Sequence, residues 1–282
     1  MNNTDKKQTD EPLISFGLIS DVQYCNCDKT GSRYYRNSLP KLEEAIGELN
    51  ATDLDFIINL GDLIDRDFKS FEPVLNTLKN SRHTIYHLHG NHDYSVSNRY
   101  KKNINDILTG KDSYYSFSLH GFRFIALNSC EISTYSGSRR SAVMARDIIT
   151  RLSSKGYPNA FEWNGGMSKN QIEWFRSELK DARDNNEYVL VFSHHTVEPA
   201  GTHNIFNREE ILELISGYDN IIAWFCGHDH SGGYGNFNST HFVIMHGMVE
   251  TADRNAWAVV EVYDNKLYIK GRGREKSQIL AY

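Results

Sequence analysis

The sequence predicts an α/β fold of two β-sheets with helices packed against them, over residues 13–282. Three observations carry this. Short apolar runs alternate with helix-period patterns over the first two thirds of the chain, and the opening βαβαβ order implies a parallel sheet. The middle section breaks that order with a hairpin. After Thr240 only strand patterns follow.

The elements follow in order. Residues 14–20 form a near-continuous apolar run, as a strand buried on both faces requires. Leu42, Ala45, Ile46 and Leu49 recur at helical spacing; residues 56–60 are the next strand; Phe71, Val74, Leu75 and Leu78 mark a second helix face; residues 84–88 are a third strand. Residues 114–118 and 122–127 flank His120-Gly121 and predict an antiparallel hairpin. Ser168 and Gln171 stand as a capping box before a helix whose buried stripe is Ile172, Phe175 and Leu179. Residues 188–192 are another buried strand, Asn207 with Glu210 predicts the cap of a helix carrying Ile211, Leu212 and Ile215, and 221–225 is a strand. Runs at 241–246, 256–262 and 267–270 close the chain, with Asp264-Asn265 at the turn between the last two. No repeat or linker divides the sequence.

Composition narrows the function. With 31 basic and 36 acidic residues the formal charge is −5, which argues against a nucleic-acid partner, since such a protein collects phosphates on a basic face. No run approaches the ~18–20 apolar residues of a membrane helix, so no membrane partner is expected. The 14 Phe, 16 Tyr and 4 Trp can fill a sizeable core and argue against disorder. Residues 1–12 contain no apolar signal segment and are expected to be a flexible tail, with the protein a cytoplasmic monomer. In that compartment Cys25, Cys27, Cys130 and Cys226 are expected to be free thiols.

The polar residues carry the chemistry. Five predicted strands end in metal-ligand side chains: Asp21-Val22-Gln23, then Gly61-Asp62-Leu63-Ile64-Asp65-Arg66, Gly90-Asn91-His92-Asp93, Ser193-His194-His195 and Cys226-Gly227-His228-Asp229-His230. Carboxyl ends of parallel strands converge on one edge of an α/β sheet, where ligands bind. Oxygen and imidazole donors meeting there make a divalent-metal site. Each block alone is a turn or a helix cap as readily as a site; the ordered set of five is what points to metal. Gly61, Gly90 and Gly227 each precede a proposed ligand, where the missing Cβ lets backbone approach an ion or phosphate.

These blocks resemble the calcineurin-like metallophosphoesterases, whose pattern is D-x-H, G-D-x-x-D, G-N-H-[DE], a lone H, and G-H-x-H. All five are present, with Gln23 in place of the first histidine. That departure is similar to the manganese-dependent ADP-ribose/CDP-alcohol diphosphatases, as are Tyr34-Tyr35-Arg36, Asn164-Gly165-Gly166, Phe225-Cys226-Gly227-His228, Gly232-Gly233-Tyr234 and the ending Lys270-Gly271-Arg272-Gly273-Arg274. The resemblance runs from Phe16 to Tyr282. It implies a four-layer αββα sandwich of two mixed β-sheets flanked by helices. It also implies two divalent metals, foremost Mn²⁺, with Mg²⁺, Fe or Zn²⁺ admitted at one site. Asp21, Gln23, Asp62 and His230 would hold one metal, Asp62 would bridge to a second held by Asn91, His194 and His228, and His92 would be the proton donor. The family pattern also selects His194 over His195. Arg66 would reach the substrate phosphate, or pair with Asp65 to stiffen the loop.

The activity implied is hydrolysis, by a metal-bridging hydroxide, of the diphosphate bond of ADP-ribose or of CDP-alcohols such as CDP-choline and CDP-glycerol. The products would be a nucleoside monophosphate and a phosphorylated sugar or alcohol. The alternatives are a cyclic-nucleotide phosphodiesterase on the same frame and a non-catalytic scaffold. Substituting an amide oxygen for imidazole moves a site from zinc toward Mn²⁺ or Mg²⁺, which favour oxygen donors. Tyr24, Tyr35, Asn164, Gly233 and Tyr234 are the candidate nucleotide walls; for each aromatic the alternative is packing in the core or on the surface. Arg272 and Arg274 either face phosphate or sit solvated at strand ends.

Overall fold

The computed structural model describes residues 11–110 and 112–282; the tail expected over 1–12 lies, except for Glu11 and Pro12, outside the described residues. Three parallel strands, β1 (Ile14–Ile19), β2 (Phe56–Asn59) and β3 (Ile85–His87), are joined through helices α1 (Tyr35–Asn50) and α2 (Phe71–Leu78). Short helices α3 (Asn98–Lys101) and α4 (Ile104–Leu108) lead to the hairpin β4 (Tyr115–Leu119) and β5 (Phe122–Ala126). Next come α5 (Arg139–Ser154), α6 (Lys169–Asp184), β6 (Tyr188–Ser193), α7 (Arg208–Ile215) and β7 (Ile221–Cys226). The strands β8 (Ser231–Phe237), β9 (Thr240–His246), β10 (Ala256–Tyr263), β11 (Lys266–Gly273) and β12 (Gln278–Ala281) complete the chain.

Two six-stranded sheets result, in the orders β12-β11-β10-β1-β2-β3 and β4-β5-β6-β7-β9-β8. Both are mixed. In the first, β10 runs antiparallel to β1 with Val260 opposite Phe16; in the second, the hairpin and β8 flank parallel β5, β6, β7 and β9. The terminal strand patterns therefore divide between the sheets, β8 and β9 going to the second and β10 to β12 returning to the first.

Alternation along the strands sets the layers. Phe16 of β1 points between the sheets, its ring 5.2–6.0 Å from those of Phe56, Phe124, Phe192 and Phe225. On the opposite face Ile19 and Ile57 pack with Leu42, Ala45, Ile46 and Leu49 of α1. The outer face of the second sheet, through Val189, Val191 and Trp224, is covered by Ile172, Phe175 and Leu179 of α6 and by Ile211 and Ile215 of α7. The layers are α, β, β, α, as the resemblance implied.

Several local features depart from the sequence reading. The helix α5 fully buries only Ser141 and Ala145, with Ile148, Ile149 and Leu152 half-buried against Ile132 and Phe206, and β8 is a glycine-rich edge strand that is largely exposed; the sequence reading marked neither. Ser168 accepts from Gln171 N, but the Gln171 side chain accepts from Asn128 N at 2.8 Å and donates to Asn128 O at 3.0 Å, leaving Ser168 N to Glu131. Asn207 does not cap α7: its Oδ1 accepts from Met167 N at 2.8 Å and its Nδ2 donates to Glu210. Cys25 and Cys27 are joined as a disulfide, correcting the expectation of four free thiols; Cys130 and Cys226 are free and buried. The loop after β1 sets the two Cα atoms 5.3 Å apart, inside the span a disulfide needs, which a compartment argument does not address. Among the described residues no helix is long and apolar enough to cross a membrane.

Candidate metal centre

The five polar blocks leave the carboxyl ends of β1, β2, β3, β6 and β7, and backbone hydrogen bonds tie their loops together. Asp21 N donates to Gly61 O at 3.2 Å, Gln23 N to Asp62 O at 2.8 Å and Gly227 N to His194 O at 3.1 Å. The Asp93 carboxylate accepts from the backbone N–H groups of Gly90, Asp62, Leu63 and Ile64 at 2.8–3.2 Å and so pins the turn that presents Asp62. Four of the predicted ligands hold left-handed backbone, Asp21 at φ 51°, Gln23 at 42°, Asp62 at 57° and His228 at 68°. Such conformations cost about 1–3 kcal/mol each and persist where the surroundings over-determine them. Close approach also explains two glycines: a Cβ on Gly90 would lie 2.0 Å from Asp62 Oδ1, and one on Gly227 would lie 2.2 Å from Ser20 Oγ.

The side chains meet as the spacing predicts. Ligand atoms of Asp21, Asp62 and His230 all lie within 4.8 Å of one another. Gln23 joins them, its amide nitrogen 2.9 Å from Asp62 Oδ2 and 3.0 Å from His230 Nε2. On the other side of Asp62, His194 Nε2 lies 3.4 Å from Asp62 Oδ2 and 3.0 Å from Asn91 Oδ1. The His228 ring centre is 5.0 Å from that of His194. The two imidazoles beside Asp62 are oriented from behind: His194 Nδ1 sits 2.9 Å from Leu60 O, and His230 Nδ1 sits 2.7 Å from Glu250 Oε1. Partners of this kind fix the ring and leave the other nitrogen for a metal. His195 is different. Its Nδ1 is 2.7 Å from Ser129 Oγ and its Nε2 is 3.2 Å from Trp163 O, so both nitrogens serve the surrounding loops.

The electrostatics suit a cation. Burial opposes charge on His194 and His230, yet Asp62 and Asp21 beside them hold both imidazoles up at about 9. Burial likewise disfavours charge on Asp62, but His194 and His92 keep its carboxyl below the usual range. His228, buried among other imidazoles, is pushed well below its ordinary value and stays neutral. Gln23 Oε1 is buried with no hydrogen-bond partner. The amide nitrogen is the atom facing Asp62 and His230; with the amide turned over, this unpartnered oxygen would join Asp21, Asp62 and His230 in a donor set that suits a hard divalent cation.

Sequence comparison gives the same answer. The calcineurin-like phosphoesterase family profile matches residues 14–232. The chain belongs to the calcineurin-like phosphoesterase family. This phosphoesterase is 30% identical to a manganese-dependent ADP-ribose/CDP-alcohol diphosphatase of Mus musculus, over 96% of this chain and 94% of the relative. A protein of the same description from Arabidopsis thaliana is 30% identical over 95% of this chain and 96% of its own. The crystal structure of a dimetal phosphatase from Danio rerio superposes with a TM-score of 0.87 at 25% identity, covering 96% of this chain and all of that one.

A cavity of about 390 Å³ opens on the centre of the phosphoesterase, lined by Asn91, His92, His228 and His230 and by three residues that sequence reasoning passed over, Arg33, Trp163 and His203. His92 Nδ1 lies 3.1 Å from Asp65 Oδ1, an ion-pair distance without hydrogen-bond alignment, and its Nε2 is 3.1 Å from Arg33 Nη1. Arg33 Nε in turn approaches Glu250 at 4.0 Å. Arg33 reaches this place through a bridge with Glu250, a pairing across more than 200 positions that leaves no local signal. Trp163 had one: it immediately precedes Asn164.

The candidate nucleotide walls lie elsewhere. Tyr24 packs against the core beside α1, and Tyr35 is buried. Arg66 lies over the Tyr35 ring and donates to Tyr35 Oη and Thr30 Oγ1, and it is not among the cavity lining. Asn164 is fully buried; its Nδ2 donates to Asn159 O and Thr202 O, and its Oδ1 lies 3.0 Å from His228 Nε2, so it orients His228 instead of facing a nucleotide. Gly233 and Tyr234 sit on the edge strand β8, where Tyr234 Oη meets His241 Nδ1 at 2.7 Å. Arg272 lies over Trp257, and Arg274 donates to Gly247 O at 2.5 Å; neither lines the cavity. These positions followed motif adjacency, which does not report the direction of a side chain.

Proposed function

We propose that residues 13–282 form one metallophosphoesterase domain that hydrolyses the diphosphate bond of ADP-ribose and of CDP-alcohols with two divalent cations, Mn²⁺ above all. The observation that carries this is Gln23: an amide stands among Asp21, Asp62 and His230 where the superfamily pattern has imidazole, and its oxygen lacks a partner. Relatives 30% identical over nearly the whole chain, named manganese-dependent ADP-ribose/CDP-alcohol diphosphatases, support it.

In this reading Asp21, Gln23, Asp62 and His230 hold one cation and Asp62, Asn91, His194 and His228 the other. When bound, the pair supplies Lewis-acid polarisation of the phosphoryl group and a lowered pKa for the attacking water. The chain supplies the rest. Asp62 can bridge because a carboxylate has two oxygens and a full charge. His194 and His230, held by Leu60 O and Glu250, present Nε2 to the centre; His228, with Nε2 against Asn164, presents Nδ1. The Arg33 guanidinium beside His92 is placed to hold phosphoryl oxygens. Trp163, 43% exposed and stacked on Phe161 at 4.1 Å and 8°, offers a flat apolar surface at the cavity for a base.

The test is a metal-stripped protein supplied with Mn²⁺ or Zn²⁺ and offered ADP-ribose, CDP-choline, cyclic AMP and an aryl phosphodiester. The expected result is fastest turnover of the two diphosphates with Mn²⁺, giving AMP and ribose 5-phosphate from ADP-ribose. Equal or faster turnover with Zn²⁺, or a preference for cyclic AMP, sinks the reading, and no turnover of any substrate revives the scaffold.

His92 gives a second prediction. A diphosphate releases a phosphomonoester, whose second pKa is about 6, so its departure needs little protonation. An alkyl phosphodiester releases a far more basic alkoxide. His92→Ala is therefore expected to lower kcat for alkyl phosphodiesters more than for ADP-ribose. Equal losses would remove the proton-donor role.

A further inference from the structure

The cavity contains a second carboxylate-backed imidazole. His203 Nδ1 lies 3.6 Å from Asp229 Oδ2 and 3.3 Å from Thr202 Oγ1. Asp229 is steadied in turn, its Oδ1 accepting from Ser231 N at 3.2 Å. With Nδ1 so placed, Nε2 remains, and among the described residues nothing polar pairs with it, although the residue lines the cavity. The arrangement repeats that of His92 and Asp65. Asp229 fills the open position of the G-H-x-H block, and His203 comes from a separate loop.

That loop is built to hold His203 in place. Asn204 Nδ2 donates to Thr196 Oγ1, Val197 O and Pro199 O at 2.9–3.0 Å, and Thr196 N donates to His203 O at 3.3 Å. The His203 ring meets the His228 ring edge-on at 5.2 Å, which places it beside the metal centre without making it a member. A half-buried imidazole held on a carboxylate, with one nitrogen facing a polar cavity, is a contact for a ligand oxygen.

We propose that His203, positioned by Asp229, binds the departing phosphoryl group of the diphosphate substrate. The inference rests on the diphosphatase reading and makes His203 a determinant of substrate class. In the hydrolysis the water oxygen bonds to the nucleotide phosphorus and the bond from that phosphorus to the bridging oxygen breaks. The second phosphoryl group leaves with the bridging oxygen and its electron pair, and the protons of water pass to solvent. Arg33 and His92 serve the reacting phosphoryl group; His203 serves the other, which a monoester or an aryl diester lacks.

The test compares wild type, His203→Ala and His203→Gln, loaded with Mn²⁺, on ADP-ribose, CDP-choline and the p-nitrophenyl ester of thymidine 5′-monophosphate. For His203→Ala, kcat/KM on both diphosphates is expected to fall about tenfold or more, mainly through KM, the size of one lost hydrogen bond to a charged group. On the aryl ester, whose departing group has no phosphoryl oxygen, the loss is expected to stay under about threefold, since no such bond is lost there. His203→Gln retains an N–H donor and is expected to recover part of the diphosphate activity. A uniform loss on all three substrates, or no loss on the diphosphates, overturns the proposal while leaving the diphosphatase reading intact. A wild-type protein that turns over only the aryl ester overturns both.

Discussion

Replacing Asp62 with Asn is expected to lower kcat with Mn²⁺ by roughly a hundred- to a thousandfold or more, the scale of losing a preorganised charged group at the reacting centre. The Asp62 side chain stands between the two halves of the site. Its Oδ2 is 2.9 Å from the Gln23 amide and 3.4 Å from His194 Nε2, while its Oδ1 accepts from His92 N at 2.7 Å. Asn has nearly the same shape and tolerates the left-handed backbone of this position, so the fold should survive. What it removes is the charge and one of two oxygens, and a single amide oxygen serves two cations poorly. Elemental analysis of the purified variant is expected to find less than two metal equivalents per chain. Retention of both metals with a loss below about tenfold would show that the carboxylate does not bridge.

The second large effect is expected at Gly90. A methyl group there would stand 2.0 Å from Asp62 Oδ1, 2.2 Å from Asp62 N and 2.6 Å from Asp62 Cγ. Two of those atoms belong to the proposed bridging carboxylate, and the third is backbone that Asp93 has clamped. No flexible side chain can yield, so the turn carrying Asp62 must shift. Overpacking of this kind costs about 1–3 kcal/mol, and more where backbone is the obstacle. A displacement of about 1 Å at a reacting centre costs roughly a hundredfold in rate. Gly90→Ala is therefore expected to lower both the denaturation midpoint and kcat, read by chemical unfolding and by steady-state turnover of ADP-ribose. Wild-type turnover in the alanine variant would show that the turn has slack and that this glycine is not needed for the approach.

The two predictions bear on different levels of the molecule. Asp62 concerns the identity of a donor, and that much is written in the order of residues. Gly90 concerns the room left for the donor, and the residues responsible lie 28 positions apart in the chain (positions 62 and 90). The same division runs through the site. His194 and His195 are chemically identical neighbours, and only their partners, Leu60 O for one and Ser129 Oγ with Trp163 O for the other, separate a residue of the centre from one that braces a loop. Asn164 is a candidate wall in sequence by its place in a loop grouped with the metal motifs, yet burial and three hydrogen bonds turn it toward His228.

The strand and helix patterns were legible where one face is buried. Phe16, Phe56 and Phe124 alternate with outward residues because two sheets press together, and α1 and α6 show their stripes because each covers a sheet. Where burial is weak the pattern fails, as at β8. Taken alone, the residues determined which donors exist, that they follow strands, and that those strands share a parallel core, since hydrophobic alternation and ligand chemistry are local properties. Only the tertiary structure decided that β10 returns to lie beside β1, that Glu250 and Arg33 arrive at His230 and His92, and that His203 enters the cavity. Those contacts join segments far apart along the chain, and the direction of a side chain at such a meeting depends on the packing around it, not on its neighbours in sequence.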